Sequence, residues 1–281
     1  MYSEINLDLQ AYAKRTYDSI LYQSTFYNFL NANYIGTLRQ TGAPVVEVAK
    51  TNPLSVTKRS TVEIQSDLSI GLATYSRSVV DLTELKMNYA VRVPVAVSGA
   101  DISNAIQDAA DLEDSAIAEA IDEYGYGKLA AASMDEFEWN FTTKDEYVSA
   151  LNQLRAKLFN KKITGEYRLG LGATEYANLV AALTTLIHFE NVDINEGISL
   201  GEFARVYGID IFEINDNVLE GATGYFFSPF AVVGDTWFSA FVQTANDVRL
   251  PGYYCISANV LFGAAVVRPE AIIRLSAEVS A

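Results

Sequence analysis

The sequence predicts a mixed α+β protein, and three observations predict it. Val91, Val93, Val95 and Val97 alternate with Arg92, Pro94 and Ala96, the period of two that marks a strand. Residues 101–124 carry an apolar stripe at helical spacing, with carboxylates around the rest of the cylinder. From Gly165 onward short hydrophobic strands flank a helical stretch, the pattern of a compact α/β module.

The chain has 281 residues and a mass of 30.8 kDa, enough for one large domain or two modest ones. Half of it is hydrophobic and 12% is aromatic, so a sizeable core is expected. The 35 acidic residues outnumber 20 basic ones, for a formal charge of −15, which disfavours a protein that grips phosphate backbones with Lys and Arg. Thirteen of the acids fall in residues 98–146 beside only Lys128 and Lys144, so the acidity belongs to one segment. Cys255 is the single cysteine, which excludes a disulfide framework within one chain and a structural thiolate zinc site. The N-terminus lacks a basic stretch followed by an apolar one, and no run is long and apolar enough to span a bilayer, so a soluble, unsecreted protein is expected. Asn140-Phe141-Thr142 is then a chance sequon.

The elements follow in order. Leu7, Leu9, Tyr12, Tyr17, Ile20, Leu21, Tyr27 and Leu30 recur at loosely helical spacing, predicting a helix and arm over residues 1–34, packed on its own domain or on a neighbouring chain. Residues 38–97 read as a long two-stranded excursion leaving near Arg39 and returning by Val97, with Pro94 suited to an edge or a strand start. Of 33 aromatic residues only Tyr75 and Tyr89 lie between Ile35 and Glu123, so this stretch is not expected to surround a thick core of its own. An isolated two-stranded ribbon is marginal in water and needs a partner surface. Ile102, Ala105, Ile106, Ala109, Leu112, Ile117 and Ile121 define the long helix, about 36 Å if it stops before Gly125. Asp108, Asp111, Glu113, Asp114, Glu119 and Asp122 are placed on its surface. A second helix is expected over Lys144–Asn160, closed by Lys161 and Lys162. Strands follow at 167–171, 207–214, 224–229, 235–242, 253–267 and 271–275, with a helix at 174–183.

Little in the sequence asks for catalysis. Gly170-Leu171-Gly172 between a strand and a helix has the setting of a dinucleotide fingerprint, but the third glycine position is Glu175, whose charge would repel pyrophosphate. Strand-to-helix turn chemistry is the better account. His188 is the only histidine, so no His cluster can hold a metal; a lone general base or a Cys255–His188 dyad is formally open, and a structural role is the simpler reading. Pairs such as Asp135-Glu136 and Asp145-Glu146 read as a solvated face. No cofactor, metal or catalytic group is expected.

Two local patterns and their order along the chain carry a resemblance. GEFARVYGIDIFEIN at 201–215 and LFGAAVVRPEA at 261–271 follow an arm, a β-excursion and a long acidic helix. This resembles the major capsid proteins of tailed bacteriophages, with the Hong Kong 97-type (Johnson) fold. The resemblance implies an N-terminal arm (1–37), an extended β loop (38–97), a peripheral domain with a spine helix (98–164 plus a C-terminal strand within 263–281) and an axial domain (165–262). It implies a structural, non-enzymatic subunit that self-assembles into hexamers and pentamers, forms an icosahedral virion head, and encloses double-stranded DNA without sequence-specific binding. Assembly would take place in the host cytoplasm, away from any membrane, with portal, scaffolding and cement proteins as further partners.

Lys50, Lys58, Arg59, Arg77 and Lys86 on the excursion are then candidates to meet Asp108, Asp111, Glu113 and Asp114 of a neighbouring helix. Some members of the family weld subunits by a Lys–Asn isopeptide bond. Lys50 and Lys58 lie in the right segment, but no Asn or catalytic Glu matches by motif, so that chemistry is not expected. The rival readings are an encapsulin-type nanocompartment shell and, more distantly, a soluble α+β enzyme using His188.

Overall fold

The computed structural model describes residues 19, 23–31, 45–51, 75–81, 83–94, 99–132, 134–183, 202–243 and 253–277. Within these, strands β1 (Val45–Thr51) and β2 (Tyr75–Asp81) form an antiparallel ribbon. β3 (Leu85–Pro94) precedes the long helix α1 (Gly99–Ala131). The short strand β4 (Asp135–Glu138), helix α2 (Lys144–Asn160), strand β5 (Tyr167–Gly172) and helix α3 (Ala173–Leu183) come next. β6 (Glu202–Val206), β7 (Ile209–Ile214), β8 (Gly224–Phe227), β9 (Val232–Gln243), β10 (Tyr253–Val266) and β11 (Ile272–Ser276) complete the described elements.

Two further sheets organise them. One has three strands in the order β3-β10-β9, and the other six in the order β4-β11-β8-β5-β7-β6. The six-stranded sheet is buried on both faces, and its side-chain alternation divides two cores. Phe212, Ile214, Tyr225, Phe227 and Ile272 point to one face, against α1. Leu169, Leu171, Ile209, Ile211, Phe226, Ile273 and Leu275 point to the other, against α2 and α3. Adjacent Phe226 and Phe227 thus serve opposite cores, which explains why this strand has no polar face.

α2 begins and ends as its sequence dictates. Thr143 and Glu146 form a reciprocal capping box, with Glu146 Oε2 accepting from the Thr143 amide at 2.9 Å. These amide donors hold the exposed Glu146 carboxyl below the usual range. At the far end the Lys162 amide donates to the Phe159 carbonyl at 2.8 Å and the Ile163 amide to that of Leu158 at 3.0 Å, a Schellman closure.

Several expectations are corrected. Residues 25–29 form a 3-10 turn (Thr25–Phe29) rather than part of a regular helix, and this segment packs on its own chain. Residues 91–94 are not the returning limb of the excursion: β3 pairs antiparallel with β10, Val91 opposite Ile256, and the ribbon's return is β2. Pro94 closes β3, an edge strand, where its missing donor costs no ladder bond. α1 runs past Gly125 to Ala131, 33 residues or about 50 Å, because Gly125 is an approach point and not a stop. A Cβ there would overlap the Phe26 ring. Gly170 likewise serves no turn; it lies within β5, where a Cβ would collide with Ile214 and Phe212. β4 and β6 escape sequence notice, β4 because Asp135, Glu136 and Glu138 mask it as a solvated stretch. Sheet membership also crosses the expected boundaries. β11 lies inside the six-stranded sheet beside β8, whereas β9 and most of β10 join β3.

The segment 24–31 is fixed by both rings and polar groups. Phe29 stacks on Phe227 at 3.8 Å between centroids and meets Tyr126, Phe212 and Tyr225 edge-on at 5.6–5.9 Å. Phe26 stands edge-on to Tyr126 and Phe262. Polar groups pin the segment to three elements. Asp122 of α1 accepts from the Ser24 hydroxyl, from the Thr25 amide (3.1 Å) and hydroxyl (2.8 Å), and from the Phe26 amide (2.9 Å). Arg168 of β5 donates to the Asn28 carbonyl at 2.7 Å, and the Asn31 amide donates to Val232 of β9 at 2.9 Å. Asp122 is therefore not a surface acid but the N-terminal cap of the 3-10 turn, only 7% exposed. Burial holds its carboxyl above the usual range, against the pull of those hydrogen bonds.

Asp122→Ala is expected to destabilise the protein by about 3 kcal/mol, since it removes several charge-assisted bonds, and to speed proteolysis within residues 24–31. Denaturant titration and limited digestion check both. Because the folded state binds this proton more tightly than the unfolded chain, stability falls as pH rises from the ordinary value of 3.8 through the raised one. Asp122→Asn removes that slope. Gly170→Val should cost about 2–3 kcal/mol through overpacking against Phe212 and Ile214, measured in the same titration.

Candidate intersubunit surfaces

The ribbon has one covered face and one open one. Val48 and Val80 are buried in a small cluster with Val233 and Val267 at the edge of the three-stranded sheet. On the alternate face Val45 is 47% and Val79 56% exposed, and Val79 sits opposite Glu47 in the ladder. Val48 and Val80 anchor the ribbon to Val233 and Val267 of its own chain, whereas Val45 and Val79 on the outer face are left exposed among the described residues.

The base of the ribbon is fastened to α1 by a charged turn. Asp81 accepts from the Thr83 amide (2.8 Å) and hydroxyl (2.7 Å), an Asx-type turn that leads β2 into β3. Those hydrogen bonds, with a smaller contribution from Lys86, hold the exposed Asp81 carboxyl below its usual range. Glu84, in the same turn, pairs with Lys128 of α1 at 2.7 Å and accepts from the Tyr124 hydroxyl. Partial burial of Glu84 raises its affinity for a proton, but Lys128 and Tyr124 together outweigh it and hold the carboxyl down. Burial, then the Glu84 carboxylate, pushes the Tyr124 phenol well up. The turn ties ribbon to helix by one exposed ion pair and one hydroxyl, each a weak contact singly.

The residues singled out from sequence are distributed unevenly over this frame. Lys50 lies on β1 opposite Ser76, and Arg77 on β2 opposite Ala49, so the ribbon brings these two positions into neighbouring rungs. Lys58 and Arg59 lie outside the described residues. Lys86 is exposed, but on β3 beside Asp81 and not on the ribbon. Asp108, Asp111 and Glu113 fall along α1. Asp114 is corrected: at 1% exposure it is buried within its own chain and presents no carboxylate to a neighbour. His188 lies outside the described residues, and Cys255 sits on β10 between Gln243 and Arg92. Among the described residues no group of three or more His, Cys, Asp or Glu side chains is placed to hold a metal ion, and no helix is long and apolar enough to cross a membrane.

Of the two packings open for the aromatic N-terminal segment, the structure places 24–31 on its own chain; what sequence reasoning missed is its 3-10 form and its cap Asp122. The signal for its burial was present as Phe26, Tyr27 and Phe29 within four residues, a density of rings that a solvated arm has no use for.

The sequence matches no protein-family model and no curated protein. Its fold does have relatives. A chain of Mycobacterium phage Che8 superposes with a TM-score of 0.62 at 17% identity, covering 92% of this chain and 93% of that one. The capsid structure of cyanophage P-SCSP1u gives 0.58 at 15% identity, covering 85% and 84%. A virus-like particle from Pyrococcus furiosus gives 0.54 at 12% identity, covering 95% and 98%. Each of these matches covers more than four-fifths of both chains. The chain therefore has the Hong Kong 97-type fold of tailed-phage capsid proteins.

Proposed function

We propose that this chain is a structural shell subunit, the major capsid protein of a tailed phage, assembling as hexamers and pentamers into an icosahedral head around double-stranded DNA. The likeness to capsid chains over nearly the whole length carries the reading. The ribbon's uncovered valine face supports it, because a surface repeated on every copy is most simply covered by the next copy.

In this reading residues 1–37 are the arm and the ribbon within 38–97 is the extended loop. The peripheral unit is α1 with the three-stranded sheet, and the axial unit is the six-stranded sheet with α2 and α3. Lys50, Lys58, Arg59 and Arg77 of the loop meet Asp108, Asp111 and Glu113 of a neighbouring α1. Each such pair is weak at the surface, and repetition at every subunit makes the sum matter. The net charge of −15 has a second use, since a carboxylate-rich wall does not adhere to packaged DNA. Portal, scaffolding and cement proteins would be further partners in the host cytoplasm, where the head is built. The function is mechanical, and no residue is assigned a catalytic role.

A second reading, a cellular nanocompartment shell, draws on the likeness to the virus-like particle from Pyrococcus furiosus. The contents of purified particles separate the two.

Electron microscopy of the purified protein is expected to show closed shells or five- and six-fold rings. Raising salt to about 1 M, where screening acts within about 3 Å, should release subunits held by the loop cations. Small particles at every concentration would contradict the shell reading, and protein cargo in place of DNA would transfer it to the nanocompartment.

A further inference from the structure

The most exposed large apolar side chain among the described residues is Phe159, at 63%, on the last turn of α2. Arg155 and Phe159 stand at i and i+4 on one stripe of α2, and Lys162 follows in the Schellman closure just past its end; all three are exposed. Tyr207, 48% exposed, joins them, because its carbonyl accepts from Arg155 Nη1 at 3.4 Å. Cations at a helix C-terminus are ordinary complements of the helix dipole. The dipole does not explain the exposed Phe159; the left-handed Lys162 (φ 62°) closes α2, and the left-handed Tyr207 (φ 52°) forms with Gly208 the turn between β6 and β7.

The chain itself supplies a matching surface. Glu119 and Glu123 lie four apart on the exposed side of α1, a like-charge pair that weakens an isolated helix, and neither has an ion pair among the described residues. Within one chain the six-stranded sheet stands between α1 and α2, which pack on its opposite faces. The two surfaces are therefore complementary in charge yet separated in the subunit that carries both.

We infer that the exposed patch of Arg155, Phe159 and Lys162, with Tyr207 beside it, docks on the Glu119–Glu123 face of α1 in a second copy of the chain. The contact is heterologous, so repeating it from copy to copy generates a ring or shell and not a closed dimer. Phe159 supplies the desolvated aromatic anchor, and the flanking cations set the register against the two carboxylates. The inference rests on the shell reading and names one contact within it. Net negative charge and the exposed ring favour a protein partner over DNA.

The test is assembly of the full-length chain, followed by light scattering and microscopy, with circular dichroism and melting temperature confirming that each variant is folded. Phe159→Ser and Lys162→Glu should each raise the concentration needed for assembly by about tenfold or more. Lys162→Glu combined with Glu123→Lys should restore most of the loss. Variants that assemble at the wild-type concentration would overturn the contact while leaving the shell reading intact. A loss not rescued by Glu123→Lys would overturn α1 as the partner, and Lys162→Glu particles that assemble normally but retain less DNA would reassign the patch to nucleic acid. A wild-type chain that never assembles would sink the shell reading and this contact with it.

Discussion

Phe29 is the point on which the described structure closes. It lies face to face with Phe227 of the six-stranded sheet and edge-on to Tyr126 of α1, so one ring links the long helix to the sheet it crosses. The ring is delivered by the N-terminal segment, and that segment is held by Asp122, Arg168 and Val232 on three separate elements. A long helix with an Ala-rich face cannot by itself grip a sheet over much area. The aromatic insert fills the space between them, and Gly125, having no side chain, lets Phe26 approach the helix axis. Large rings placed at such a junction bury more apolar area per residue than any aliphatic side chain could.

From that junction the described molecule divides into a well-packed part and a ribbon with two exposed valines. The six-stranded sheet has a core on each face and needs nothing further. The ribbon buries Val48 and Val80 against Val233 and Val267 and leaves Val45 and Val79 exposed on its other face. The contrast is energetic as much as architectural. Rings and sheet strands secure the fold of each subunit, whereas in the proposed shell Val45 and Val79 would be covered only by another copy. Glu84, just past the ribbon, is tied to Lys128 of α1 by an exposed ion pair that salt screens.

Elements with a clean period were legible in the sequence. The bounds of α2 follow from its apolar spacing and terminal lysines, and β5, β7, β8, β10 and β11 follow from short hydrophobic runs. Failures occur where tertiary contacts override local signals. Gly125 and Gly170 look like punctuation in one dimension, but both are spaces left for a ring or side chain from distant residues. Asp114 and Asp122 look like surface acids because they sit among many; only the folded chain reveals that they turn inward. The alternation of Val91 and Val93 identified a strand correctly and its partner wrongly, since β10 lies about 160 residues further on and no local pattern encodes that pairing. The candidate contact residues were legible as charge, not as geometry.

The central claim is that the ribbon's outer face is completed by another copy, while the Phe29 junction is complete within one. Amide hydrogen exchange on dissociated and assembled protein tests this directly. The account predicts strong protection of β8 and of residues 26–30 in both states, and protection of β1 and β2 that rises on assembly. A ribbon already as protected in the isolated subunit as in the particle would contradict it.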